Sequence, residues 1–380
     1  MDSTEEKEKN TLSLRRLFLV CPVRHVILLI SAAITAAYFL LRHDHRLMQT
    51  VCRNFVRPYH ALMSRLCSAV DFSVSGVCIA LFVLAVSAYL LISVVMLIRR
   101  RADIKKRLWR LFITVFALVF AVYALFCLLW GVYYYASDFQ TDSGITAKPA
   151  ATEQLESVTK YFAGLLNEYG DKVSRGGDGV FAEPLDEIFA RSASLYDNVQ
   201  TSFPCLSGQD IPAKRFMFSR AMSLVNFTGF FFPFTGEANI NIDAPACYIP
   251  STIAHELAHQ RGVAREDEAN FVAVLASLAS GDDVYIYSAC LLAYTHLGNA
   301  LHSADYDAWL DVYSGLSDGV KADIAENNAY WQQFETPVST VSDNVYTGFL
   351  KSYGQTQGLK TYGRCVDLLI AYYYEISVQE

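Results

Sequence analysis

The sequence predicts a mainly α-helical protein in which three N-terminal transmembrane helices lead into a mostly helical α+β domain with a small sheet or hairpin. Three observations predict this class. Charge-free apolar runs crowd the first third of the 380 residues, formal charge changes sign near residue 137, and helical periodicity dominates from residue 153 onward. The hydrophobic fraction of 53% is high for a purely soluble chain, and its uneven distribution argues for a membrane region followed by a globular one.

The first apolar stretch, Val26 to Leu41, follows Arg15, Arg16 and Arg24 and reaches the thickness of a bilayer core when its flanks are included, giving a span of about 25–41. A cleaved signal peptide is the competing reading, opposed by the lack of a small-residue cleavage site before a soluble region. Phe72 to Ile98 runs without a charge and is long enough to cross with tilt. Leu111 to Ala136 is equally uncharged and ends in Trp130, Tyr133, Tyr134 and Tyr135, an aromatic cluster suited to a membrane interface. A buried helix hairpin is the alternative for these runs, and their length argues against it. The predicted organisation is a membrane region at 1–137 with spans at about 25–41, 72–98 and 111–136, a linker at 138–152, and a globular domain at 153–380.

Orientation follows from the short loop holding Arg99, Arg100, Arg101, Lys105, Lys106, Arg107 and Arg110, because positive loops stay cytoplasmic. Three spans then put the N-terminus in the cytoplasm and the C-terminal domain outside it, in a multi-pass protein of the cell membrane whose partner is the lipid bilayer. The loop from Arg42 to Asp71, with five arginines, would share the outer side against its charge; the denser second loop outweighs it. Residues 1–137 carry a formal charge of +10 and residues 138–380 one of −17. An acidic globular domain is a poor partner for nucleic acid, whose phosphates need a positive face.

The globular domain opens on a helix pattern over Glu153 to Tyr169, with Leu155, Val158, Phe162 and Leu165 on one face. Asn226 to Ile242 (NFTGFFFPFTGEANINI) combines aromatic and β-branched residues with Gly and Pro punctuation and reads as a short strand or hairpin. Val366, Leu369, Ile370 and Tyr373 form a last apolar helix face. Cys205, Cys247, Cys290 and Cys365 permit two disulfides in an oxidising compartment, but wide spacing favours unpaired core cysteines.

The chemistry concentrates in Ile253 to Gly262, IAHELAHQRG. His255 and His259 stand one helical turn apart on a shared face, so both imidazoles can reach one metal ion, while Glu256 beside them can accept a proton from water without ligating. The HExxH pattern arises by chance in about one chain in a hundred of this length; the alternative is an exposed helix with a solvated His-Glu-His face. A catalytic zinc needs a third protein ligand and an open position. Gly262 suits a left-handed cap ending the first helix, and a second helix starts near Glu266. Glu266, Asp267 and Glu268 are the candidates. Glu266 is favoured because it shares a narrow stripe with Asn270, Ala273 and Ser277 that can approach the first helix, with Asn270 orienting a ligand; Glu268 projects toward Val272 and Leu275.

The run from Phe232 to Ala273, containing PFTGEANIN, HELAHQRG and AREDEANF, resembles the bacterial membrane proteins grouped as domain of unknown function 3810, and the likeness extends to the three spans and the closing YGRCVDLLIAYYY. The HELAH and EDEAN arrangement is also similar to gluzincin peptidases with an ExxA(D/N) second motif, onto which Glu266, Ala269 and Asn270 map. Asn270 stands where many of those peptidases have Asp. The resemblance implies a gluzincin-like fold.

The function expected is a membrane-anchored zinc metallopeptidase acting on a peptide or protein substrate outside the cytoplasm. Its ligands are His255, His259 and Glu266, its general base is Glu256, and its cofactor is Zn2+. PFTGEANIN offers an edge strand for an extended peptide, with a core hairpin as the alternative. Tyr287 and Tyr294 are candidate oxyanion donors, although helical tyrosines more often serve packing. The rival expectation is a non-catalytic envelope protein that binds a partner or holds a structural zinc; it leaves Glu256 without a purpose.

Overall fold

The computed structural model describes residues 17–99, 103–209, 211–353, 355 and 362–379. Arg15 and Arg16, which flank the first apolar stretch, and Arg100 and Arg101, which contribute to the orientation argument, lie outside them. Helix α1 spans Pro22–Leu41, α2 Arg57–Cys67, α3 Val74–Arg99 and α4 Ile104–Leu129. Of these, α1, α3 and α4 are long and apolar enough to cross a membrane. Helices of suitable length thus stand where the three spans are expected, but the third starts within the basic segment and stops seven residues before Ala136.

The early stop corrects the reading of the aromatic cluster. Residues Gly131–Tyr135 turn into a short 3-10 helix whose side chains are all buried. Trp130, Tyr133, Tyr134 and Tyr135 pack with Tyr38 of α1, Met48, Cys52, Val56, Phe231 and Tyr353. They form a core between the spans and the globular domain in place of an interfacial belt. Aromatic composition suits both settings, since each wants a large apolar body with a polar tip.

The segment from Arg42 to Asp71 is docked on that core. His45 Nδ1 lies 2.8 Å from the Tyr135 carbonyl, Ser137 donates its amide to Gln49 Oε1 at 3.0 Å, and Tyr59 donates its hydroxyl to the Phe234 carbonyl at 2.8 Å. Its arginines thus share a side with the C-terminal domain. Phe139–Ser143, in the expected linker, is a short helix with Phe139 in the main core.

The principal helices of the globular domain are α5 (Thr152–Gly170), α6 (Ile249–Gln260), α7 (Glu266–Ser280), α8 (Asp283–Ala304), α9 (Asp318–Gln332), α10 (Pro337–Ser352) and α11 (Tyr362–Ser377). On α5 the buried stripe is Leu155, Val158, Phe162 and Leu166, with Leu165 only partly covered. Helix α8 packs against α5, α6, α7 and α11 and is the axis of the core. Val366, Leu369, Ile370 and Tyr373 close that core from α11. All nine cysteines are unpaired, and Cys247, Cys290 and Cys365 are buried.

A three-stranded sheet lies in the order β1 (Lys214–Arg215), β3 (Glu237–Ile240), β2 (Gly229–Phe232). β1 runs parallel to β3, whereas β2 is antiparallel, with Phe230 opposite Asn239 and Phe231 opposite Ala238. The segment PFTGEANIN forms the turn and the central strand, both edges of which are taken. The sheet's outer edges belong to β1 and β2.

Glu237 joins this sheet to the second span. Its carboxylate accepts the amides of Val74 and Ser75 at 3.1 and 2.7 Å, capping α3 where backbone donors have no intrahelical partner. It also accepts the hydroxyl of Thr235 and pairs with Lys214 Nζ at 2.9 Å. Lys214 in turn donates to the carbonyls of Cys67 and Phe72. Burial would raise the Glu237 carboxyl, but Ser75, Lys214 and Thr235 outweigh it and hold it below the ordinary glutamate value. Both partners are nearly inaccessible.

Glu237→Ala should therefore leave Lys214 charged and unpaired, costing about 3–5 kcal/mol, read as a lowered unfolding midpoint of the full chain in detergent. Because the folded carboxyl is depressed, its contribution should be complete above the unfolded value of 4.5 and be lost as pH falls through the folded one. The alanine variant should lack that acid-side loss.

Candidate metal centre

Helix α6 begins with Pro250 in its first turn, where a missing N–H costs nothing, and carries His255, Glu256 and His259. It ends at Gly262, whose φ of +91° is the left-handed conformation glycine favours. A Cβ at Gly262 would meet Tyr133 Cε1 at 2.7 Å, so the aromatic core also needs glycine there. The turn returns the Val263 carbonyl to within 2.6 Å of His259 Nδ1. Helix α7 then starts on Glu266, and Asn270 Oδ1 one turn later lies 2.8 Å from His255 Nδ1.

With an acceptor at each Nδ1, each ring in its neutral form takes the tautomer that presents an Nε2 lone pair inward, as metal ligation requires. Glu266 faces those atoms. Its Oε2 lies 3.2 Å from His255 Nε2 and its Oε1 3.6 Å from His259 Nε2. One ligand-type atom from each of the three residues falls within 4.8 Å of the others, an arrangement able to hold a metal ion. Among the described residues this is the cluster with that geometry. Asn270 sits where the expected orienting role requires, and Ala273 and Ser277 on the same stripe are fully buried.

Glu268 goes elsewhere. Its carboxylate accepts the Phe139 amide at 2.9 Å and the Gln140 side chain at 3.0 Å, and burial, with Asp138 nearby, pushes it up to about 7. Asp267 is buried toward Arg364.

Electrostatics inside the cluster are strongly coupled. Burial opposes charge on His259, but the neighbouring Glu266 carboxylate outweighs it and brings the imidazole to about 9. Burial likewise opposes Glu266, which the two histidines hold well below the usual carboxylate range. Glu256 differs: burial raises it more than the histidines lower it. Its Oε2 has no hydrogen-bond partner among the described residues, and the Phe231 amide of β2 donates to the carboxylate. An orphaned buried carboxylate oxygen beside three inward-facing donors is what a metal with an open water position would complete.

The cluster forms the floor of a cleft of about 420 Å³. One wall is β2 from Gly229 to Phe231, a second is Tyr346 and Phe349 of α10, and a third comes from Phe126, Trp130 and Tyr134 at the end of the third span. The Trp130 ring meets His259 edge-on at 5.5 Å. Neither Tyr287 nor Tyr294 lines this cleft; Tyr287 donates its hydroxyl to Asp323 in the core beside Arg175. Of the tyrosines that line the cleft, Tyr346 donates its hydroxyl to Glu266 Oε1 at 2.7 Å. Eighty positions separate the two residues, and no local pattern connects them.

Gly229 was also invisible to motif reading. A Cβ there would lie 2.7 Å from Glu256 Oε1 and 2.8 Å from its Cγ. The absent side chain lets the strand edge and the carboxylate share one space.

Three helices fit to cross a membrane, a helical domain and a His-His-Glu cluster of metal-binding geometry define the class as a membrane-associated α-helical protein with a candidate metal centre. More particularly, the chain belongs to the family described as Protein of unknown function (DUF3810), whose sequence model matches residues 52–370. That stretch includes the second and third spans, the sheet and both site helices. No curated protein and no solved structure matches the chain.

Gly229→Ala should crowd Glu256 and lower stability by about 1–3 kcal/mol. Glu256→Ala removes the crowded atoms, so the double variant should be more stable than the sum of the single effects predicts. Additive unfolding midpoints would mean that the strand edge and the carboxylate do not press on one another.

Proposed function

We propose that this protein is a membrane-anchored zinc metallopeptidase with a gluzincin-like site, hydrolysing peptide bonds outside the cytoplasm. One observation carries the reading: His255, His259 and Glu266 converge on the floor of an open cleft beside a buried, unpartnered oxygen of Glu256. A structural zinc is normally enclosed by four protein ligands, whereas a catalytic one has three and an open position.

Zinc, when bound, would lower the pKa of a coordinated water toward roughly 7 and polarise a peptide carbonyl. The chain's own groups do the rest. His255 and His259, fixed through Nδ1 by Asn270 and Val263, direct their Nε2 atoms. Glu256 accepts a proton at its unpartnered Oε2, and its raised carboxyl brings its basicity nearer neutrality. The Tyr346 hydroxyl gives its single proton to Glu266 and so holds that carboxylate toward the histidines. The edge of β2 that no strand pairs lines the cleft, where an extended peptide can lie along it and deliver its carbonyl above the histidines. Asn270 supplies the orienting acceptor with a neutral amide, a weaker electrostatic partner than aspartate.

The orientation follows the basic segment after the second span, which puts the globular domain outside the cytoplasm. A reporter fused after the C-terminus should behave as extracytoplasmic and one fused near Lys105 as cytoplasmic. The reverse pattern would move the site inside.

The full chain purified in detergent should contain zinc, and His255→Ala or His259→Ala should remove it, because two ligands do not hold a catalytic site. Glu266→Gln should weaken zinc binding, whereas Glu268→Gln should leave it nearly unchanged. Glu256→Gln should keep zinc but lose hydrolysis of unstructured peptides by about 10²-fold or more. Undiminished hydrolysis in that variant would sink the mechanism. A zinc-loaded wild type without hydrolysis would favour the non-catalytic envelope protein.

A further inference from the structure

We infer that the cleft opens at the outer surface of the bilayer and takes as substrate a polypeptide anchored in that same membrane. The inference deepens the peptidase reading and rests on it for the reaction, while the position of the cleft rests on independent observations.

The first observation is that the cleft reaches the span itself. Phe126, in the last turn of α4, lines the same space as His255 and His259. The metal-type cluster is therefore separated from the apolar end of a membrane helix by only one cleft wall, and Trp130 and Tyr134 of that wall follow directly in sequence.

The second is an exposed apolar stripe on α10. Val338, Val341, Val345 and Phe349 succeed one another at intervals of three and four residues, which puts them on one face. The three valines are 58–68% exposed, unusual for a row of β-branched residues on a globular surface. Phe349 at the inner end of the row packs on Phe126 at 5.7 Å between ring centres. The stripe thus continues from the third span and ends beside the cleft wall formed by Tyr346 and Phe349.

The third comes from the opposite rim. Met217, Phe218 and Leu224 are 43–49% exposed. Met217 and Phe216 pack against Gly76 in the first turn of α3, close enough that a Cβ on Gly76 would meet them at 3.3 Å. Phe216 also contacts Phe230 of the cleft at 4.9 Å. The two rims meet where Ser342 donates to the Val225 carbonyl and Asn226 donates to Asp343.

Each exposed apolar set is therefore fastened to a different span, at the ends of α3 and α4 that share one membrane face. Lipid is the covering these residues fit, since the surface they continue is already lipid-facing. A cleft with both rims seated in the interface admits chain emerging from the bilayer more readily than chain arriving from bulk water.

The test uses the full chain in phosphatidylcholine vesicles. An environment-sensitive fluorophore is placed on Val341→Cys in a Cys78→Ser background, Cys78 being the exposed cysteine among the described residues. Nitroxides on the lipid chains should quench most of its emission and aqueous iodide little; the opposite pattern overturns the docking. In parallel, a library of unstructured peptides is supplied free or fused to a membrane-spanning helix in the same vesicles. The tethered form should be cleaved about tenfold faster or more. Val338→Asp combined with Val341→Asp should reduce that advantage while leaving cleavage of free peptide unchanged. Equal rates for the two forms overturn the inference and leave the peptidase reading standing. Cleavage of neither form overturns that reading together with the substrate class, and the fluorophore still decides whether the stripe lies in lipid.

Discussion

The carboxylate of Glu237 sits where three parts of the chain would each leave charge or polar backbone unsatisfied. The second span begins with bare amides at Val74 and Ser75, β1 carries the buried ammonium of Lys214, and the carbonyls of Cys67 and Phe72 point into the same interior. A single anion on the central strand, with the lysine it pairs, answers all of them. Because β3 also packs against α6, the histidine helix is referenced to the start of a membrane helix through two elements. The geometry of the cleft relative to the bilayer depends on that junction, since the sheet is otherwise only three short strands.

The His-His-Glu cluster uses the same economy. At Nδ1 neither histidine meets a charged group. His255 leans on an amide and His259 on a backbone carbonyl that is available only because Gly262 adopts a left-handed turn. Charge is reserved for Glu266, which meets both Nε2 atoms and the Tyr346 hydroxyl. Glu256 stands apart with an oxygen that nothing in the protein satisfies. A buried acceptor without a donor costs about 1–3 kcal/mol, a cost that folding alone gives no reason to retain.

Much of this was legible in the sequence because it is written in short-range periodicity. Four-residue spacing placed His255 with His259, the helical stripe separated Glu266 from Glu268, and unbroken apolar runs marked the spans. What escaped notice depends on contacts between distant segments. Periodicity says which face of an element is apolar and nothing about what covers it. Trp130 to Tyr135 therefore read as an interfacial belt when it is a core. No local pattern links Tyr346 to Glu266, and Gly229 looks like strand punctuation when its value is the space left for Glu256. The small sheet follows from the sequence, and of the two readings of PFTGEANIN, edge strand or core hairpin, the structure has the hairpin, because the outer side of β3 is taken by Lys214 and Arg215, a partner too short to register as a strand.

The burial of Trp130 and Tyr134 bears on how the protein comes into being. These residues leave the third span and at once become a wall of the cleft, so the site has no complete form in a chain whose third helix has yet to be seated. Cutting the globular domain free at Ser137 would remove the ring that meets His259 and open the pocket on that side.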